Sequence, residues 1–365
     1  KVIFSKELTP SVFGGTSVGD QGGFRLAIDE VGITNPTGAP TPSARNAPNW
    51  QFEDTLSWVK GSHNLSFGGS FTNISIWLQN QTMVPTVNFG IVTGDPADAM
   101  FNAINFPGAS GGNLTDAREL YAVLTGRIRQ FGANARINEA GTEYVYLGPS
   151  VQRARMREFG FFAQDSWRVR PNLTLNYGVR WELQLPFAPL NSVYSTASVD
   201  DVFGISGRGN IFRPGRLEGQ PTQYVQYKEG VRAYGIDWNN FAPNLGFAWT
   251  PSTEKGWLRR ILGKNGDSVI RSGYSLAYNR NGIGDFTGVF DDNPGLIINV
   301  NRSLSLGNLG TLPLLFRERD RLVPPSFDVS PMYPRSGLVT DTVSIFDPNI
   351  QVPYAQSWTL GVQRA

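Results

Sequence analysis

The chain is 365 residues long, with a formal charge of +2, no cysteine, one histidine and 12% aromatic residues. So small a charge gives nucleic acid no footing, and without cysteine there is neither a disulfide framework nor a thiolate metal site. No stretch approaches the roughly 18 apolar residues of a membrane-spanning helix, whereas 41 glycines and a 17% charged fraction fit a turn-rich β protein.

No basic, apolar leader opens the chain at Lys1, so a secretion signal is expected to be absent or already removed. A weakly patterned start, "GGFRLAIDEVG" (22–32), precedes the first clear strands. Over 49–59, Trp50, Phe52, Leu56 and Trp58 alternate with Gln51, Glu53, Thr55 and Ser57. The link "KGSHN" leads to 65–79, where Leu65, Phe67 and Phe71 share one parity. Successive strand side chains point to opposite faces, so a period of two gives one apolar and one polar face. Near Asn73 the apolar role passes to Ile74 and Ile76, which predicts a bulge that re-aims the side chains.

A long link, 80–157, follows. Asp95 with Pro96 predicts a helix start over 94–104. Asp116 with Glu119 three residues on resembles a capping box, and Leu120, Leu124 and Ile128 then recur at helical spacing. An amphipathic helix over 115–131, folding the link down as a lid, is predicted.

The most regular pair comes next. Over 158–169, Phe159, Phe161, Ala163, Trp167 and Val169 share a parity broken only by Asp165, while Phe162 intrudes on the polar one. Beyond a connector of about three residues holding Pro171, the run 172–184 sets Leu173, Leu175, Tyr177, Val179, Trp181 and Leu183 against Asn172, Thr174, Asn176, Gly178, Arg180, Glu182 and Gln184. Proline in a turn breaks no ladder bond, and the reading is a β-hairpin.

A second long link, 185–239, contains the glycine-rich 201–215, which lacks the strand–turn–helix context of a phosphate cradle. Runs 240–250 and 268–279 form a third pair. Between them, "EKGWLRRILGKNG" (254–266) gathers Trp257, Leu258, Ile261 and Leu262 opposite Lys255, Arg259, Arg260 and Lys264. That predicts an interfacial helix on anionic headgroups, or an amphipathic turn packed on the sheet. A third long link, 280–352, places Asp285, Asp291 and Asp292 near glycines. Such oxygens suit calcium, but the spacing matches no EF-hand. The last run, 353–363, carries Tyr354, Trp358 and Leu360 on one parity.

Alternation alone does not name the solvent, because soluble antiparallel sheets are patterned the same way. Run length and link length separate the two. The runs are about 10–13 residues long, where soluble strands centre on about 5–6 and tilted membrane strands need about 9–11. The links alternate strictly, a short one and then about 78, three, 55, 18 and 73 residues. Outer-membrane barrels have short turns at the periplasmic rim and long loops outside. Trp50, Trp58, Trp77, Trp167, Trp181, Trp249 and Trp358 all fall in the runs, several near a run's end, where interfacial girdles sit. The expected fold is all-β: an antiparallel transmembrane β-barrel segment over 1–365, with long extracellular loops carrying short helices, in the bacterial outer membrane.

The stretches "EFGFFAQDSWRVRPNLTLNYGVRWE", "NWQFEDTLSWVKGSHNLSFGG", "NNFAPNLGFAWTP", "SVIRSGYSLAYNR" and "VPYAQSWTLGVQR" resemble the barrel of Oar-like TonB-dependent receptors, over residues from about 49 to 365. The resemblance implies a barrel of 22 strands with a plug domain and a TonB box. Seven strands cannot close such a barrel, and an open edge in lipid leaves unpaired backbone groups costing several kcal/mol each. The chain ends on Ala365 without a closing aromatic signature, so a middle portion of a longer polypeptide is expected. Expected partners are outer-membrane lipid and lipopolysaccharide, with the TonB complex reached only through regions outside these residues.

Little in the chain points to catalysis. His63 lies in a tight link and is expected to be solvated; one histidine and no cysteine leave no material for zinc or for Cys- or His-based triads. No catalytic residue, cofactor or metal is expected. Glu53 and Glu182 are expected to line a lumen with Arg168 and Arg180, whereas Asp54 and Asp165 lie on the apolar parity and fit only near a rim. The sequons at Asn64, Asn73, Asn80, Asn113, Asn172 and Asn301 carry little meaning in a bacterium. Three functions are compatible with this pattern. One is a TonB-dependent receptor importing a bulky oligosaccharide or peptide. Another is a surface adhesion or scaffold barrel without transport, and the third a soluble secreted β-sandwich binding protein. Detergent dependence separates the third from the others. A plug and TonB box in the parent gene would separate the first from the second.

Overall fold

Strands of alternating polarity satisfy their backbone groups only by pairing with neighbours, and in the computed structural model they do so as one antiparallel meander. The structure describes residues 24–28, 35, 41–210, 213–251, 262–263, 266–280, 282–338 and 341–364. Seven long strands stand side by side in chain order: β1 (Asn49–Lys60), β2 (His63–Asn80), β3 (Ser150–Arg170), β4 (Leu173–Gln184), β5 (Phe241–Trp249), β6 (Ser268–Tyr278) and β7 (Tyr354–Arg364). Every neighbouring pair is antiparallel. A short strand, Ser43–Asn46, continues the line of β1 along β2. Among the described residues nothing pairs with the outer edge of β1 or β7, and both strands are exposed along their whole length.

The two tight turns lie at one rim. Gly61 and Ser62 join β1 to β2, and Gly61 takes φ 59°, the positive value that a two-residue hairpin turn requires. Pro171 and Asn172 join β3 to β4. The Asn172 carbonyl accepts from the Thr250 amide at 2.9 Å while its side chain donates to the Thr250 carbonyl at 3.1 Å, fastening the turn to the end of β5. The predicted helix over 254–266 lies almost wholly outside the described residues.

At the other rim the three long links fold together into a cap. Thr86–Phe89, Ile128–Ile137 and Ile297–Ser303, with Arg25–Ala27 and Tyr144–Tyr146, form a five-stranded sheet. Its helices are α1 (Gly111–Thr125) and α2 (Ile283–Asp291). The largest core joins Ile137 and Tyr144 of the first link, Phe187 and Tyr194 of the second, and Phe290 and Leu296 of the third. It closes downward on Ile76 of β2 and on Ala154 and Met156 of β3. The long links are therefore one folded body standing on the wall, not separate excursions.

The predicted bulge near Asn73 is not formed. β2 and β3 pair without a register shift from His63↔Trp167 to Asn80↔Ser150. The faces stay the same and the surroundings change. Below the Asn73↔Arg157 pair, outward Phe71, Phe159 and Phe161 are apolar; from that pair upward, inward Ile76, Ala154 and Met156 enter the cap core, and Arg157, Arg155 and Arg153 take the outward positions. β3 thus begins at Ser150, inside what the sequence presents as a loop. Along the described wall strands a register shift occurs between Arg168 and Arg170, and in the cap sheet another falls between Asn88 and Phe89.

Helix α1 starts earlier than its sequence suggests. Ser110 is the N-cap, its Oγ accepting the Asn113 amide at 3.2 Å, and Gly126 at φ 71° ends the helix. Asp116 lies in its second turn, and Ile128 opens a strand instead of extending the helix. The helix buries Ala122 and leaves Leu120 and Leu124 exposed. Over 94–104 only a 3-10 turn, Asp98–Met100, forms, although Asp95 Oδ1 accepts the Ala97 amide at 2.8 Å. The aspartate-rich segment is also no loop, since α2 buries Ile283, Thr287 and Phe290, which recur at helical spacing.

Candidate functional site: the polar face beneath the cap

The inward parity of the meander carries hydroxyls, amides and glycine. Where β2, β3 and β4 pass under the cap, Ser70, Gly160 and Glu182 stand in one row and Thr72, Glu158 and Gln184 in the next. They border a cavity of about 200 Å³ that Gln51, Asn240, Tyr278 and Arg280 complete. Arg280, just beyond β6, grips Glu158 with two prongs, Nη2 to Oε2 at 2.7 Å and Nε to Oε1 at 2.9 Å. Gln184 Nε2 donates to the same Oε1 at 3.0 Å. Beside them Arg180 Nε meets Glu182 Oε1 at 2.9 Å. Two carboxylates are thus each held by a guanidinium, and Glu53 stands opposite Ser70 at the edge of the same row. Forked donors and acceptors of this kind fix planar or vicinal polar groups.

Farther down, Asn64, Ser66, Gln164, Ser166, Asn176 and Asn244 make a polar wall that Asp165 also borders. The intruding Phe162 is accommodated by Gly68, where an added Cβ would sit 2.2 Å from the ring. Glu53 faces the same side, opposite Ser70, and Arg168 lies by the turn, opposite Thr174.

The outward face is ringed. Trp181 stacks with Phe161, Trp238 and Phe241 at 6.0, 6.3 and 6.2 Å, and its indole N–H donates to the Trp238 carbonyl at 2.9 Å. Toward the turn rim Trp358 is 70% exposed on the same face. Tryptophans placed so are not a core sealed between two sheets.

His63 is not simply solvated. Its Nδ1 meets Asp165 Oδ2 at 2.6 Å, the Tyr177 hydroxyl donates to the same oxygen at 2.8 Å, and its ring stacks on Trp167 at 5.2 Å. The one acid that interrupts the apolar parity of β3 is thereby 5% exposed and sits close to the turn rim. Asp54 differs: it faces outward in mid-strand opposite Gly69, and its carboxylate accepts the Thr55 amide at 2.9 Å. Arg280 and Trp238 were not singled out by periodicity. Arg280 lies beyond its run and meets a partner 122 positions away, and Trp238 precedes its strand.

Among the described residues no three His, Asp or Glu side chains gather as a metal-holding group. No described helix is long and apolar enough to cross a membrane, which says nothing of strands. In the cap, burial disfavours the phenolate and pushes the pKa of Tyr144, Tyr194 and Tyr227 above the usual tyrosine value, and takes those of Tyr234 and Tyr333 up to about 12. A family model described as "Outer membrane beta barrel domain" matches residues 6–365. No curated protein and no solved structure matches the chain.

Proposed function

The chain belongs to the outer membrane beta barrel domain family, and from that premise we propose that it walls a TonB-dependent receptor of the Oar-like kind, importing a bulky oligosaccharide or peptide. Its place is the bacterial outer membrane. The observation carrying the transport reading is a charge-paired, hydrogen-bonding row of Glu158, Arg280, Gln184, Arg180 and Glu182 at the join of a polar wall and a folded cap. A ligand entering from the cap side would meet that row before the wall. Energy coupling would run through the TonB complex and through a plug outside these residues. No catalytic role is assigned.

The test is uptake of labelled oligosaccharides and peptides by cells carrying the full-length gene, with and without TonB and with a protonophore. We expect TonB-dependent uptake that Arg280→Gln reduces several-fold. Folded stability should shift by about 1 kcal/mol, since Arg280 is exposed although Glu158 is largely covered. Uptake indifferent to TonB would make the protein a passive pore. The exposed Leu120, Leu124, Ile104 and Phe106 on the cap favour a second reading, surface adhesion. That reading gains if uptake is absent while cell attachment depends on the cap.

A further inference from the structure

Above the ringed band, the outward face of β3 carries three arginines in a row. Arg153, Arg155 and Arg157 continue the parity of Phe159 and Phe161 without interruption, and stand opposite Trp77, Ser75 and Asn73 of β2. Alternate residues of a strand are about 7 Å apart on one face. The row therefore rises directly from the last apolar residue into the zone where lipid headgroups lie. Arg153 is paired with Glu139 at 2.8 Å, and Arg157 Nε reaches only the Asn73 amide oxygen at 3.4 Å. Among the described residues neither Arg155 nor Arg157 meets a carboxylate. Two crowded cations without a counter-ion, at a fixed height on a membrane-facing surface, call for an anion supplied by the membrane.

We propose that Arg155 and Arg157 form a binding site for the phosphorylated headgroup of an outer-leaflet glycolipid. Guanidinium forks grip phosphate oxygens two at a time, and Phe159 and Phe161 below offer the acyl chains an apolar, ringed surface. The site is independent of transport and requires only the outer-membrane setting. It explains why the apolar parity ends in arginine and not in a neutral polar residue.

The full-length protein is extracted from outer membranes as wild type, R155Q/R157Q and R155K/R157K. Each is exposed to lipid A carrying both phosphates, to dephosphorylated lipid A, and to millimolar inorganic phosphate. Bound lipid is read by native mass spectrometry, and folding by heat-modifiable gel migration. Wild type should hold phosphorylated over dephosphorylated lipid A by tenfold or more, since a basic residue near an anionic surface contributes roughly fivefold. R155Q/R157Q should lose that preference and R155K/R157K keep part of it. The proposal is overturned if the wild type binds both lipids alike, if a folded R155Q/R157Q keeps the preference, or if inorganic phosphate displaces phosphorylated lipid A. Should R155Q/R157Q misfold, the wild-type comparison of the two lipids decides alone.

Discussion

Two residues that look like errors in the pattern turn out to be explained by partners on the neighbouring strand. Phe162 breaks the polar face, and Gly68 directly opposite leaves its ring room. A Cβ at position 68 would come within 2.2 Å of that ring and 2.8 Å of the Asp54 carbonyl oxygen. Gly68→Ala should therefore destabilise the folded protein by about 1–3 kcal/mol, the usual cost of overpacking. Adding Phe162→Ala should recover most of it. Heat-modifiable migration across a temperature series would measure both, and a Gly68→Ala variant as stable as wild type would refute the pairing. Asp165 breaks the apolar face in the same manner, and its partners are His63 and Tyr177.

At the scale of elements, the cap and the wall are held by different forces. The wall's side chains face lipid and water with little core of their own, while the cap is packed around Phe290, which touches Phe187, Tyr194, Tyr227 and Phe346 at ring distances of 5.1–5.9 Å. Removing a fully buried phenylalanine costs about 3–5 kcal/mol. Phe290→Ala should open the cap alone: trypsin should cut within 80–149, 185–240 and 279–353 while the far-UV β signal of the wall persists. Loss of both together would show that they fold as one unit. The same division explains what the sequence revealed. The hairpin over 158–184 was legible because two solvents impose a strict period of two on every residue. The cap was not, because its bonds join distant positions, such as the Tyr144 hydroxyl to the Gly295 carbonyl at 2.8 Å and Asn293 to the Ser195 carbonyl at 2.9 Å. Asp116 and Glu119 imitate a capping box, but Ser110 caps α1 first, and the strand pairing of Ile128–Ile137 with Ile297–Ser303 claims the residues that would have lengthened the helix. In the charge-paired row, Glu182 and Arg180 were readable from parity, whereas Arg280 was supplied by a link with no period at all.

For the whole molecule, burial raises the tyrosines of the cap, Tyr234 and Tyr333 to about 12. In the unfolded chain they ionise near 10. Their contribution is therefore intact below about pH 10 and is lost as the pH climbs toward 12. Absorbance of tyrosinate should rise late, in step with loss of near-UV circular dichroism from the cap; free titration near pH 10 with the signal intact would contradict the packing. The switch of apolar duty along β2 and β3 has a mechanical corollary. It acts as a draught mark on a hull. A slide of β3 by a single residue would swing its guanidiniums toward the cap's interior and its phenyl rings onto the polar face in the same movement, so the ribbon's depth in the bilayer is pinned from above and below at once. Confronted with a thicker or thinner membrane, such a protein is left to lean, not to sink or float.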